Sequence, residues 1–247
     1  MKIAGIIPAR YASTRFPGKP LIDIGGKSMI QRVYGQSMQS ALLSDVIVAT
    51  DDERIAEHVR SFGGNVCMTS AEHPSGTDRC REVVTNMSLD AGAVINIQGD
   101  EPFINPRQID MLCECFSDER TQIATLVKEI TDEQVLFSPN SPKVILDKDG
   151  FALYFSREAI PHIRGKEKKD WLSAHNFYQH IGIYGYRREV LLDITQIPPS
   201  SLEQAESLEQ LRWLENGYRI KTSVTSLDTL AIDTPEDLEK ISELYDL

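Results

Sequence analysis

The chain has 247 residues, 41% of them hydrophobic and 26% charged, with a formal net charge of −11 at pH 7. That length buries a substantial core and suits one α/β domain, or one domain with a lobe. The composition excludes a disordered chain, the acidic balance excludes a general nucleic-acid binder, and no apolar stretch is long enough for a membrane span or a signal sequence.

A cytoplasmic protein is therefore expected. The cysteines Cys67, Cys80, Cys113 and Cys115 contain no CxxC pair and read as reduced, mostly buried thiols. The chain opens on the apolar run Ile3 to Ile7, a buried strand. It empties into a loop carrying Arg10, Arg15 and Lys19 before any acidic residue, the first carboxylate being Asp23. In open α/β sheets ligands bind beyond the carboxyl ends of the strands. A polyphosphate needs guanidinium forks and ammonium groups, so this loop is a candidate triphosphate site, with a solvated basic loop as the alternative. Pro8, Pro17 and Pro20 stiffen it.

Gly25-Gly26-Lys27-Ser28 lacks the earlier glycine of a Walker A loop, since that position is Leu21. It reads as a turn, with Ser28 capping a helix from Met29 to about Ala41. Asp45 to Thr50 is a second buried strand, Asp51-Asp52-Glu53 opens the next helix, and Gly63-Gly64 ends it. Val66 to Met68 is a short third strand, and the alternation spells a parallel sheet. Ser75-Gly76-Thr77-Asp78-Arg79 enters another helix and is first of all a capping arrangement. Ala93 to Gln98 is the central strand. It stops at Gly99-Asp100-Glu101-Pro102, which aims Asp100 at the ligand crevice and makes it the first metal candidate. Glu101, just before Pro102, ranks below it.

A helix over 106–116 and a strand from Ile123 to Glu129 follow. From 151 to about 190 the chain turns aromatic and holds three of the five histidines. Phe151 to Arg157 alternates as a strand. His180 to Tyr186 is another, whose period of two puts His180, Gly182 and Tyr184 on one face and Ile181 and Ile183 on the other. No third ligand accompanies His175 and His180 at zinc spacing. The basic loop Arg164 to Lys169 reads as solvated charge. Ser201 to Asn216 reads as an amphipathic helix closed by Gly217, with Glu206 and Gln210 one turn apart on one face, an ordinary solvent face being the alternative. Ile220 to Val224 is the last strand. Near the end Thr234, Pro235 and Asp237 make a helix cap. Asp233 is left over, projecting beyond the helix end where it can meet Asp100 across a divalent ion.

The opening Ile-Pro-Ala-Arg-Tyr-Ala-Ser-Thr-Arg-Phe-Pro-Gly-Lys-Pro-Leu resembles the signature of the 3-deoxy-manno-octulosonate cytidylyltransferases, the CMP-KDO synthetases. Its Phe-Pro-Gly-Lys-Pro-Leu ending separates it from the acylneuraminate branch. Val-Ala-Thr-Asp, Met-Thr-Ser, Gln-Gly-Asp-Glu-Pro, Tyr-Phe-Ser-Arg, His-Ile-Gly-Ile-Tyr-Gly-Tyr and Asp-Thr-Pro-Glu-Asp are similar to family stretches too. The resemblance implies an α/β Rossmann-like nucleotidyltransferase fold, with a mostly parallel central sheet flanked by helices. It implies a single cytidylyltransferase domain over 1–247, with a small sugar-binding and dimerisation lobe near 151–190.

The resemblance further implies transfer of CMP from CTP to the anomeric hydroxyl of KDO with release of pyrophosphate, for lipopolysaccharide assembly, by a homodimer using Mg²⁺. Ala9, Arg10, Arg15 and Lys19 would hold the nucleotide, with Ser75, Gly76 and Thr77 against the cytosine. Asp100 and Asp233 would bind the metal, and Arg10, Lys19, Asp100 and Asp233 form the implied catalytic set. Gln98, Arg157, His180, Tyr184, Glu206 and Gln210 would serve the sugar acid. Two alternatives stay open: the 8-amino analogue of KDO, which Glu206 would allow, or another nonulosonate-type acid, and more remotely a non-catalytic sugar-nucleotide-binding protein.

Overall fold

Seven almost wholly buried residues, Ile3–Ala9, form β1, on which the strands around the N-terminal loop are registered. The computed structural model describes residues 1–12 and 16–244. Two compact units are present, Met1–Cys113 with Asp228–Leu247, and Glu114–Leu227. In the first, β1 leads to a hairpin of β2 (Asp23–Ile24) and β3 (Lys27–Ser28) that turns on Gly25-Gly26. Then come α1 (Met29–Ser37), β4 (Asp45–Thr50), α2 (Glu53–Ser61), β5 (Asn65–Met68), α3 (Gly76–Asn86), β6 (Ala93–Asn96) and α4 (Pro106–Cys115). The strand order is β6-β1-β4-β5 with every pairing parallel. A parallel sheet packed by helices demands strands apolar along their whole length, and Ile6, Ile7, Val48, Val94 and Ile95 have no exposed surface.

The caps lie where the sequence puts them. Ser28 Oγ accepts from Gln31 N at 3.2 Å and Asp52 Oδ1 from Arg54 N at 3.0 Å. Helix α1 stops at Ser37, short of Ala41, because Ser40 Oγ donates to Asp110 Oδ1 (2.5 Å) and accepts from Leu43 N (3.3 Å), a local alternative to the helical bonds. The four cysteines are buried and none is in a disulfide.

The second unit contains β7 (Ile123–Glu129), α5 (Glu133–Phe137), β8 (Lys143–Leu146), β9 (Ala152–Ser156), α6 (Trp171–Ala174), β10 (Tyr178–Arg187), α7 (Arg188–Ile194), α8 (Ser201–Glu206), α9 (Gln210–Glu215) and β11 (Ile220–Val224). Strand β7 pairs parallel with β11 and antiparallel with β10; β8 pairs antiparallel with β10 and β9. The aromatic stretch 151–190 lies inside this unit.

Two expectations are corrected here. The helix over 201–216 is broken: Ser207 takes a left-handed conformation (φ 51) between α8 and α9. A continuous helix would offer the Glu206 and Ser207 carbonyls to the amides four residues on. Instead Arg157 takes both, Nε to Glu206 O at 2.6 Å and Nη2 to Ser207 O at 3.2 Å. Glu206 and Gln210 thus belong to different helices. Strand β10 bulges between Ile181 and Tyr184, so the strict alternation fails there. The excess against β7 is two residues, which preserves parity, and the His180 and Tyr184 rings still meet with centroids 5.2 Å apart.

The chain returns to the first unit in α10 (Pro235–Leu244). Thr234 N donates to Asp237 Oδ2 (3.0 Å) and Asp237 N to Thr234 Oγ1 (3.3 Å), the expected cap. Ile232 and Ile241 join Ile24 and Met29 in one apolar cluster, against which Phe16 and Phe103 pack. Burying a side chain such as Ile232 is worth about 2 kcal/mol. That seating delivers its neighbour Asp233 to the N-terminal loop.

Candidate active site

A cavity of about 520 Å³ opens at the carboxyl ends of β1 and β6, lined by Ala9, Arg10, Lys19, Ser75, Gly76, Arg79, Gln98 and Asp100 among others. Its floor depends on two glycines. Gly18 (φ 72) precedes the short helical turn that carries Lys19, and its N–H donates to Tyr11 O at 3.0 Å, closing the loop. At Gly99 a Cβ would stand 2.6 Å from the carbonyl oxygen of Pro8, so only glycine lets the two strand ends approach. Arg15 lies outside the described residues.

Asp100 and Asp233 meet at one cation. Lys19 Nζ donates to Asp100 Oδ2 at 2.9 Å and to Asp233 Oδ1 at 3.2 Å, with the lysine largely buried and both carboxylates partly exposed. Ile232 N donates to Asp100 O at 2.9 Å, tying the C-terminal segment to the end of β6. Beyond this pair, no group of three or more His, Cys, Asp or Glu is gathered for a metal among the described residues. The adjacent Glu101 is buried, and burial, reinforced by Asp100, raises its carboxyl to about 8. Arg10 ends in a buried Nη2 with no partner.

Ser75, Gly76 and Thr77 open α3. Ser75 Oγ accepts from Asp78 N (3.3 Å) and donates to Asp78 Oδ2 (2.7 Å), so the capping role is realised at the cavity wall. The loop before it is braced by a hydrogen bond between His73 and Glu82, whose Oε2 also accepts from Ser70 N at 2.8 Å. Gln98 lines the cavity as well. The sequence reading assigned no role to Arg79, although it shares the buried stripe of Cys80, Val83 and Val84 on α3, an odd place for a charge. Burial lowers its pKa from the usual arginine value; Asp51 opposes the shift and Arg10 adds to it.

The residues assigned to the sugar acid other than Gln98 lie in the second unit. His180 Nε2 is 3.1 Å from Thr125 Oγ1, its ring is edge-on to Phe155, and burial pushes its pKa down to about 3. The Tyr184 hydroxyl is buried without a partner, its pKa raised well above the usual value by burial and then by Tyr186 and Glu209. Gln210 is buried with Nε2 also unpartnered. Glu206 accepts from Ser156 Oγ (2.7 Å) and Arg157 N (2.9 Å). Arg157, expected at a carboxylate, spends three donors on backbone carbonyls: those of Glu206 and Ser207, and Pro139 O at 2.9 Å from Nη1. Lys143 was missed. Its buried Nζ donates to Ser138 O (2.8 Å) and Arg157 O (2.5 Å), and burial lowers its pKa.

Ligands of open α/β sheets bind at the parallel strand ends, and the unspent arginine donor in this cavity suits an anion such as a nucleotide phosphate. The comparisons narrow this. A family model described as cytidylyltransferase matches residues 4–222. The chain is 59% identical over 244 residues to the 3-deoxy-manno-octulosonate cytidylyltransferase of Parabacteroides distasonis, covering 97% of this chain and 96% of that one. It is 58% identical to that of Bacteroides thetaiotaomicron, covering 98% of each. A solved CMP:2-keto-3-deoxy-manno-octonic acid synthetase complexed with CTP aligns at TM-score 0.92 and 43% identity, over 100% of this chain and 99% of that one. The chain belongs to the cytidylyltransferase family and, within it, to the 3-deoxy-manno-octulosonate cytidylyltransferases.

Proposed function

We propose that the protein transfers CMP from CTP to the anomeric hydroxyl of KDO, forming the activated sugar used in lipopolysaccharide assembly. The observation that carries this reading is the meeting of Asp100 and Asp233 at Lys19 beside Arg10. Arg10 and Lys19, with Arg15, hold the triphosphate, while Ala9 and the Ser75-Gly76-Thr77 turn flank the nucleoside. The anomeric hydroxyl gives up its proton to solvent as its oxygen bonds to the α-phosphorus, the bond from that phosphorus to the bridging oxygen of the β-phosphate breaks, and pyrophosphate leaves. Holding the two reactants in line contributes roughly 7 to 11 kcal/mol of rate acceleration.

Asp100 and Asp233 suit Mg²⁺, which favours one or two carboxylates plus substrate phosphates over an all-protein cage. Their convergence on a single ammonium nitrogen supports that reading. When bound, Mg²⁺ supplies charge neutralisation at the reacting phosphate. Gln98, His180, Tyr184 and Gln210 serve the sugar acid, His180 as a neutral imidazole. The 8-amino reading rested on Glu206, whose carboxylate already accepts from Ser156 and Arg157.

We place the protein in the cytoplasm, where CTP is; no described helix is long and apolar enough to cross a membrane. The homodimer reading rests on the family resemblance, and sedimentation tests it. The reaction is tested by offering CTP and Mg²⁺ with KDO, 8-amino-KDO and sialate in parallel. Pyrophosphate and a CMP-sugar are expected with KDO. Release with sialate alone would change the acceptor, and CTP binding without release from any acid would make this a binding protein.

A further inference from the structure

Pro74, Ser75 and Gly76, which line the cavity, end a loop that packing does not hold. Ser70, Ala71, Glu72 and Pro74 are all exposed, so no apolar core fixes the course of the chain between β5 and α3. Its ends are secured, since Thr69 N donates to Thr50 O at 2.8 Å and Ser75 caps α3. Between them one carboxylate holds the chain. Glu82 lies about two turns along α3 from Ser75, and its Oε2 accepts from Ser70 N at 2.8 Å and from the His73 ring. Its Oε1 accepts from Asn86 Nδ2 at 3.1 Å, one turn further on. Burial acts to raise this carboxyl, but Ser70, His73 and Asn86 outweigh it and hold it below the usual glutamate value. An ionised carboxylate only accepts, so Nε2 of His73 carries the proton.

Fully exposed ion pairs contribute little, but this contact differs in two ways. The side chains of His73 and Glu82 are only 21% and 26% exposed, and one oxygen receives both Ser70 and His73, so the two bonds together define the turn. Releasing His73 frees the chain directly ahead of Pro74, Ser75 and Gly76. The body of α3 stays anchored by the buried Cys80, Val83 and Val84. The disturbance therefore falls on the cavity wall and not on the fold. On the reading that the enzyme uses CTP, we propose that His73 and Glu82 are positioning residues for the nucleotide, their hydrogen bond setting the wall at Pro74 to Gly76 against which CTP docks. A wall already in place leaves less ordering for binding to offset, which raises affinity. The rate at saturating CTP does not depend on the brace, because the bound ligand then holds the wall.

The test compares His73→Leu, which loses the donor, with His73→Gln, whose side-chain amide can still donate to Glu82. CTP affinity is measured by calorimetry, and kcat and the KM for each substrate by pyrophosphate release. His73→Leu is expected to raise both the Kd and the KM for CTP by about tenfold, with kcat and the KM for KDO unchanged. His73→Gln is expected to restore most of the CTP affinity. A purely structural brace would lower the urea midpoint and leave the CTP constants where they were, and that result overturns the proposal. So does equal behaviour of the two variants, or a fall in kcat with the KM for CTP unchanged. If His73→Leu does not fold, Glu82→Ala decides, with the same rise in Kd for CTP expected and an unchanged Kd overturning the proposal. Wild-type protein that binds CTP but releases no pyrophosphate with any acid would overturn the underlying reading, while the Kd values would still judge the brace. Absence of CTP binding by the wild type would overturn both.

Discussion

The ammonium of Lys19 lies 2.9 Å from Oδ2 of Asp100. It thereby occupies the space between the two acids proposed to hold the metal. Lys19→Met removes a positive charge from between two carboxylates, so Mg²⁺ binding without nucleotide should tighten by roughly tenfold, while CTP binding weakens. Calorimetric titrations of each ligand check this. Unchanged Mg²⁺ affinity would mean that the lysine and the ion do not compete.

Arg157 makes a second prediction. Three of its donors bond to the carbonyls of Pro139, Glu206 and Ser207, holding open the break between α8 and α9. Arg157→Ala should cost about 1 to 3 kcal/mol of stability, read as a lower urea midpoint. A variant of normal stability with a raised KM for KDO would instead assign the guanidinium to the sugar carboxylate.

His180 makes a third. Its pKa falls from the ordinary value near 6.5 to about 3 in the folded protein. The unfolded chain therefore binds the extra proton first as pH drops. Stability is fully present above the ordinary value and is lost progressively as pH falls from there toward 3, at most by about 1.4 kcal/mol per pH unit. Urea titrations at pH 7.5 and pH 5 should show this loss in the wild type and a smaller one in His180→Gln. Equal losses would contradict the buried, neutral imidazole.

The alternating units of the first half were legible because buried parallel strands leave continuous apolar runs and because Ser28, Asp52 and Ser75 announce their helices. Asp233 was legible as the residue the cap of α10 did not use. The break at Ser207 was not, since it depends on Arg157, 49 positions away from Glu206 in sequence. The β10 bulge was also hidden, because Thr125, whose Oγ1 is 3.1 Å from Ile181 O and 2.8 Å from Ile183 O, belongs to another strand. Arg79 stood in a quoted motif, yet its significance rests on burial, which a charged residue type argues against.

The central claim is that Asp100 and Asp233 serve the reaction together and do not merely pair with Lys19. The measurement that tests it most directly is the rate of pyrophosphate release from CTP and KDO by Asp100→Asn, with CTP binding to the same sample verified. The account predicts a loss of about a hundredfold or more in kcat, with CTP still bound and the fold intact. A rate near that of the wild type would contradict it.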